Sequence, residues 1–325
     1  MSNIVSQRRE IVFLYDIKDI NPNGDPLDEN KPRIDEETMV NLVSDVRLKR
    51  TVRDYLHDFK SQEIFIRETR KEDGNLIDKE DRLDNLKVTS ADELLKKCID
   101  IRLFGATLAI GSKSKSKKTK KQDGDATEDK NDKRVILTGP VQFRIGRSLH
   151  RVKVTYMKGT TVMPSDKSSK QGTFTEQYIL PYSLIGFYGI INENAARTTQ
   201  LADDDVALLY DGLWNGTKNL ISRSKIGQMP RLLLSVVYKE KNYHIGDLNG
   251  MIRLASEKVD EEVRDISELS LDVTNLVAAL IRNKGKIQRV ELMEDPRLAC
   301  VADEKHDSLQ NLIMAADIEV TPLAL

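Results

Sequence analysis

The chain has 325 residues, 32% charged and 39% hydrophobic, which suits about two domains or one core with large insertions. Its 51 Lys and Arg nearly cancel 52 Asp and Glu, excluding a uniformly basic nucleic-acid binder and an acidic disordered chain. Cys98 and Cys300 lie far apart, the histidines (His57, His150, His244, His306) are isolated, the first ten residues are polar, and no apolar run approaches the ~18 residues of a membrane span; a soluble, cytoplasmic protein is expected, without disulfide framework, metal or cofactor.

In chain order, Ile11–Tyr15 predicts a first strand. Asn21-Pro22-Asn23-Gly24-Asp25-Pro26 packs turn dipeptides together and stops regular structure. Asp35 or Thr38 can cap a helix with Glu36 and Glu37 in its first turn, running to about Phe59. Ile64–Thr69 reads as a strand, Asp73-Gly74 as a turn and Ala91–Cys98 as a helix, with Ile101–Gly105 leading to a linker. Lys113–Asp132 is lysine-rich, then acidic, with almost nothing apolar, and predicts a disordered loop. Val135–Arg144 is β-like, and Ser148–Tyr178 reads as an extended hairpin projecting from the body. Leu184–Ile191 predicts a buried strand, Ala202–Leu220 an amphipathic helix and Arg231–Tyr238 another strand. Strands near Met251–Ala255 and Ile287–Leu292 flank a helix at Val273–Lys284. The order β-α-β, long insertion, β-α-β predicts an α+β fold of the ferredoxin-like kind.

The near-zero net charge hides segregation. Arg144–Lys170 carries seven basic residues and one acid, and Leu213–Arg231 four basic residues and none. Arg47–Arg53 has four basic residues in seven positions, whereas Met251–Glu304 has twelve acids against eight bases. That distribution matches a basic groove on a neutral protein, against the plainer reading of ordinary solvated helix faces.

On the helix after the turn, Leu48, Val52, Tyr55, Leu56 and Phe59 share one arc and face the core. Lys49, Arg50 and Arg53, with Arg47 at the edge, take most of the opposite side. Like charges at i,i+3 and i,i+4 repel by a few tenths of a kcal/mol, roughly, so an anionic partner explains them better than the local sequence does. Asn21, Asn23, Gly24 and Asp25 form a loop whose backbone can approach a ligand closely, and Lys31 and Arg33 add charge to the same rim. Arg223, Ser224 and Lys225, in a polar loop with a flexible Gly227, suit phosphate and sugar contacts. Gly186-Phe187-Tyr188-Gly189 superficially matches the aromatic motif of RNA-recognition sheets but lacks its leading cation, and reads as a buried strand. Asp25, Asp28 and Asp35 can in principle gather a divalent ion; cap and turn chemistry explains them more simply.

Together these segments resemble a known family. FLYDIKDINPNGDPLDENKPRIDEETMVNLVSDVRLKRTVRDYL (Phe13–Leu56) resembles the opening of the Cas7 backbone subunits of CRISPR Cascade complexes, and Asp28–Arg33 the type I-B (Csh-two-like) branch of that RAMP superfamily group. DIRLFGA (Asp100–Ala106), LTGPVQFRIGRSLH (Leu137–His150), QYILPYSLIGFYGIIN (Gln177–Asn192) and LWNGTKNLISRSKIGQMPRLLLSVV (Leu213–Val237) are similar to its later blocks, in the same order. The resemblance implies an α+β fold with an RRM-like palm (residues 1–60, 137–147 and 179–325), a finger-like insertion (61–136, with the lysine-rich loop at 112–134) and a protruding β-hairpin thumb (148–178). It implies a non-catalytic subunit that polymerises with further copies of itself along a crRNA. The guide is held by its phosphates and presented to target DNA, beside other Cascade subunits. It assigns guide contacts to Asn21, Asn23, Gly24, Asp25, Lys49, Arg50, Arg53, Arg223 and Lys225, with Arg144 and Arg147 at the thumb base and Met163 beside a displaced base; the residue reading adds Lys31, Arg33 and Ser224. The alternatives are a guide-dependent, metal-assisted ribonuclease using Asp25, Asp28 or Asp35, and a stand-alone RNA chaperone.

Overall fold

Strand β1 (Arg9–Ile20) runs nearly its whole length buried, and both faces of a central strand must then be apolar. The structure, a computed structural model, describes residues 3–71, 73–110, 133–160 and 174–325. After β1, a two-residue ladder of β2 (Gly24–Asp25) with β3 (Lys31–Pro32) closes a loop, and β4 (Val40–Val43) leads into helix α1 (Asp45–Lys60). Helices α2 (Lys79–Asn85), α3 (Ala91–Lys97) and α4 (Ile99–Phe104) precede β5 (Gly105–Ile110), β6 (Lys133–Thr138), β7 (Val141–Phe143), β8 (Gly146–Arg151), β9 (Thr155–Thr160) and the long β10 (Phe174–Ile191). Helices α5 (Glu193–Thr199) and α6 (Asp203–Lys218) lead to β11 (Met229–Tyr238). The rest comprises β12 (Arg253–Ala255), β13 (Ser270–Asp272), α7 (Thr274–Arg282), β14 (Ile287–Glu294), β15 (Cys300–Ala302), β16 (Lys305–Asp307), α8 (Leu309–Met314) and β17 (Val320–Pro322).

Among the described residues β1 sits in the middle of a nine-stranded sheet ordered β17-β14-β11-β1-β10-β8-β4, with β7 and β9 also paired to β10. Both neighbours of β1 are antiparallel to it; Phe13 lies opposite Phe187 of β10 and Leu233 of β11. Strand alternation sends Ile11, Phe13, Tyr15 and Ile17 into one core, with Leu48, Val52 and Leu56 of α1 and Leu209 and Leu213 of α6. Val12 and Leu14 go to a second core on the other face, with Leu276 and Leu280 of α7 and Leu309 and Ile313 of α8. A third, smaller cluster joins Phe65, Leu83, Leu94, Leu95, Ile101, Leu108 and Leu137 within the 61–138 segment. Helices α1 and α6 approach closely because Gly212 and Gly216 face Val52 and Tyr55; a Cβ at either would lie 2.9 Å from those side chains.

Several sequence expectations need correction. Helix α1 starts later than predicted: Ser44, not Asp35 or Thr38, is its cap, and its hydroxyl accepts from Arg47 N at 3.2 Å. The Asp35 carboxylate instead closes a turn by accepting from Glu37 N and Thr38 N, and the alternating Val40–Val43 pairs with β8. Phe59 points outward, stacked on Tyr55 at 5.1 Å between centroids. Ile64–Thr69 is not a strand, because the N–H groups of Phe65 and Ile66 donate to the Asp100 carboxylate rather than to a ladder. Ile101–Gly105 does not simply lead to a linker; it completes α4 and starts β5. Strands β12 and β14 do flank α7 in chain order, with β13 between β12 and the helix, and they lie in different sheets. The expected loop at Lys113–Asp132 lies outside the described residues. No described helix is long and apolar enough to cross a membrane.

Candidate nucleic-acid interface

Three predicted segments meet at the C-terminal end of β1. The loop after β1 is held from inside: the Asn21 amide donates to Asn30 O at 2.7 Å, and Asn23 Oδ1 accepts from the Ser44 hydroxyl at 3.0 Å and Ser44 N at 3.3 Å. Asn23 thereby ties the loop to the cap of α1. Gly24 is required by space, since a Cβ there would sit 2.1 Å from Asn30 Oδ1. The loop before β11 reaches the same place, where Lys225 Nζ donates to Asn21 O at 2.5 Å.

The electrostatics of that corner are one-sided. Burial, and the nearby Arg47, push the Lys225 ammonium down to about 8. Burial also lowers Arg47. Arg47 donates to Thr51 Oγ1 at 3.1 Å, and its buried Nε has no hydrogen-bond partner among the described residues. Among the described residues neither cation has a carboxylate within ion-pair distance, and Asp54 acts on Arg47 only from further away. The buried Asn21 Oδ1 is likewise without a partner among the described residues. Arg223, on the same loop as Lys225, is exposed. A half-buried pair of like charges with no ion-pair partner among the described residues is a costly arrangement that a bound anion would relieve.

Residues 7–274 match the family model described as CRISPR-associated protein Cas7. A CRISPR-associated protein Cas7 of Haloferax volcanii is 33% identical over 305 residues, 90% of this chain and 88% of that relative. The chain belongs to the Cas7 family. Its fold is also that of a chain in a solved structure titled "CRISPR RNA-guided surveillance complex, pre-nicking", with 13% identity, 95% of this chain and 98% of the other covered, and a TM-score of 0.53.

Within this Cas7 chain the predicted contacts divide. Asn21, Asn23, Gly24 and Lys225 converge with Arg47, and Arg223 and Ser224 lie beside them in sequence. Lys49 and Arg53 do not join that corner. Arg53 pairs at 3.1 Å with Asp100, which is fully buried, and lies 5.0 Å from the Phe104 ring centroid. Lys49 pairs with Asp45 at 2.9 Å and lies 5.7 Å from the same ring. Both cations fasten α1 to α4. Arg50 faces outward, 3.5 Å from Asp54, on the wall of a cavity of about 310 Å³ that Phe65, Arg67 and Lys79 also line.

The remaining predicted cations each have a carboxylate: Lys31 with Asp28 at 2.7 Å, Arg33 with Asp25 at 3.1 Å, Arg144 with Asp247 at 2.5 Å and Arg147 with Asp35 at 2.9 Å. Asp25, Asp28 and Asp35 thus answer three separate cations rather than converging on one point. The hydrogen bond to Arg147 holds Asp35 below the usual carboxylate range. Met163 lies outside the described residues. Arg47 was underweighted in the sequence because it falls at the edge of the basic arc. The usable signal was its place three residues after a serine cap, which turns it back toward the preceding loop.

Proposed function

We propose that this Cas7 chain is a crRNA-binding backbone subunit of a CRISPR surveillance complex, holding guide phosphates at the corner formed by Arg47, Lys225 and the Asn21–Gly24 loop. The observation that carries this reading is the pair Arg47 and Lys225, both half-buried and without an ion-pair carboxylate among the described residues. Arg223 and Ser224 extend the contact along the backbone, and Arg50, Arg144 and Arg147 are exposed enough to exchange their surface carboxylates for phosphate. Phosphate contacts position a strand without reading its sequence, which suits a subunit that must accept any guide.

In this reading the antiparallel β11-β1-β10 core with α1 and α6 on one face is an RRM-like palm. The 61–136 segment, with its own small core, is the finger-like insertion. The β9–β10 arms, paired from Thr155 with Ile179 to Thr160 with Phe174, are the base of the thumb. The chain works in the cytoplasm, non-catalytically, with further copies of itself and other Cascade subunits along one guide that pairs with target DNA. A heterologous contact between identical chains is what allows such open-ended stacking.

The test is the salt dependence of RNA binding. Arg47→Ala and Lys225→Ala together should shallow the log–log slope by about 0.7 for each lost single-strand phosphate contact. A double variant with the wild-type slope and affinity overturns the assignment.

A further inference from the structure

The outer face of α1 is not wholly charged. Val46, in its first turn, is 67% exposed, and Ile66 is 45% exposed. Single exposed aliphatic side chains are ordinary on a protein surface. These two, with Phe65 and Ile77, instead form the apolar part of the cavity of about 310 Å³ between α1 and the 65–82 segment. That volume lies at the small end of the roughly 300–1,000 Å³ range of ligand pockets.

The polar groups around it call for one kind of partner. Its three carboxylates are engaged: Asp54 with Arg50 at 3.5 Å, Glu68 with Arg70 at 2.7 Å, and Asp78 accepting from Asp81 N at 2.8 Å. Two of its cations are not. Among the described residues no carboxylate lies within ion-pair distance of Arg67, whose Nη1 is 2.6 Å from His57 Nε2, or of Lys79, which donates to Thr107 O at 3.3 Å. Thr69 and Arg82 also line the cavity, and their buried Oγ1 and Nε have no hydrogen-bond partner among the described residues. Arg82 Nη2 is taken by Glu63 at 2.5 Å and Ile64 O at 2.7 Å. The groups left unsatisfied are therefore donors, set beside an aliphatic surface.

That combination selects a ligand class. A neutral apolar molecule leaves the donors unpaired. Acetate or inorganic phosphate meets the charge but leaves the aliphatic surface in water. A carboxylate on a compact apolar body satisfies both, its two oxygens matching the guanidinium fork of Arg67 with Lys79 as a point charge.

We propose that the cavity between α1 and the 65–82 segment binds a small organic carboxylate, its oxygens on Arg67 and Lys79 and its apolar body on Val46, Ile66 and Ile77. Neither Arg47 nor Lys225 lines this cavity, so the proposal stands apart from the RNA-binding reading.

The experiment is calorimetric titration of the full chain with phenylacetate. Acetate lacks the apolar body, phenethyl alcohol lacks the charge, and uridine monophosphate carries phosphate on a nucleoside. The wild type should bind phenylacetate about tenfold more tightly than acetate or the alcohol, the scale of one charge-assisted hydrogen bond. Arg67→Gln with Lys79→Gln should weaken phenylacetate about tenfold and leave phenethyl alcohol unchanged. Val46→Ser with Ile66→Ser should weaken phenylacetate and leave acetate unchanged. All four side chains are exposed, so the unfolding midpoint of both variants should stay near that of the wild type. Phenylacetate binding no tighter than acetate and the alcohol overturns the proposal on the wild type alone. Uridine monophosphate binding as tightly as phenylacetate also overturns it, and makes the cavity part of a nucleic-acid path. Undiminished phenylacetate binding by the folded glutamine variant overturns it by placing the probe elsewhere.

Discussion

Lys225, on the loop before β11, lies near Arg47 in the first turn of α1; burial first and the Arg47 charge second lower the affinity of Lys225 for its proton, and burial lowers that of Arg47. The contact is repulsive, yet the fold holds it by anchoring Lys225 to Asn21 O and Arg47 to Thr51. Folding therefore stores unfavourable charge at this corner, and an anion that binds there recovers it.

RNA affinity should accordingly depend on pH. In the free protein Lys225 titrates at about 8; a bound phosphate favours the ammonium and raises that value. Between the two values the complex holds more protons than its free components, so binding takes up a proton and weakens as pH rises through and above 8. Affinity measured from pH 7 to 9.5 should fall, and Lys225→Arg, which does not titrate there, should flatten the curve. A wild-type profile as flat as that of the arginine variant would remove Lys225 from the phosphate site.

Arg53→Ala should act on stability rather than on RNA. Asp100 is fully buried, accepts from Phe65 N at 2.8 Å and Ile66 N at 3.0 Å, and has Arg53 as its counter-charge. Removing that partner leaves a buried carboxylate uncompensated, a loss of about 3 kcal/mol. Denaturant unfolding should show it, while the salt slope of RNA binding stays at the wild-type value. A stable variant with a shallower slope would return Arg53 to the groove.

The same residues explain which parts of the molecule were legible in the sequence. Strands β1, β10 and β11 were visible because Val, Ile, Leu and Phe run almost unbroken through them, and a strand buried on both faces needs such a run. Helix α6 was visible from its period and its Asp203-Asp204-Asp205 start. The basic arc of α1 was read as solvent-facing because helical periodicity locates one buried face and cannot see a second element on the other side. Phe104 and Asp100 of α4, about fifty residues on, cover Lys49 and Arg53. Ile64–Thr69 has strand-like composition, but a long-range carboxylate takes its first N–H groups. Ion pairs between distant segments leave no periodic trace.

The close approach of α1 and α6 gives a third prediction. Gly216→Leu places a side chain where a Cβ alone would already be 2.9 Å from Tyr55 Cβ. The helices must separate, at a cost of about 2 kcal/mol for overpacking. Because α1 carries Arg47, RNA affinity should fall together with the unfolding midpoint. Gly216→Leu with wild-type stability would show that the α1–α6 contact yields easily.

His150, on β8 of the central sheet, supplies the last prediction. The imidazole is 3% exposed. Its Nε2 accepts from Leu184 N of β10 at 3.2 Å, so the proton sits on Nδ1, which faces Arg151 O at 2.9 Å and Asp260 O at 3.1 Å. Burial outweighs those carbonyls and the nearby Asp260 and Glu261, and keeps the ring's pKa below its ordinary value. The unfolded chain then binds a proton that the folded protein refuses. The stability His150 contributes is complete above about pH 6.5 and is lost as pH falls below it. Protonation also turns the Leu184 acceptor into a donor and sets two N–H groups against each other. His150→Gln keeps the size and one acceptor without titrating, so between pH 7.5 and 5 its melting temperature should fall less than that of the wild type. Equal falls in the two proteins would show that carboxylates elsewhere carry the acid sensitivity.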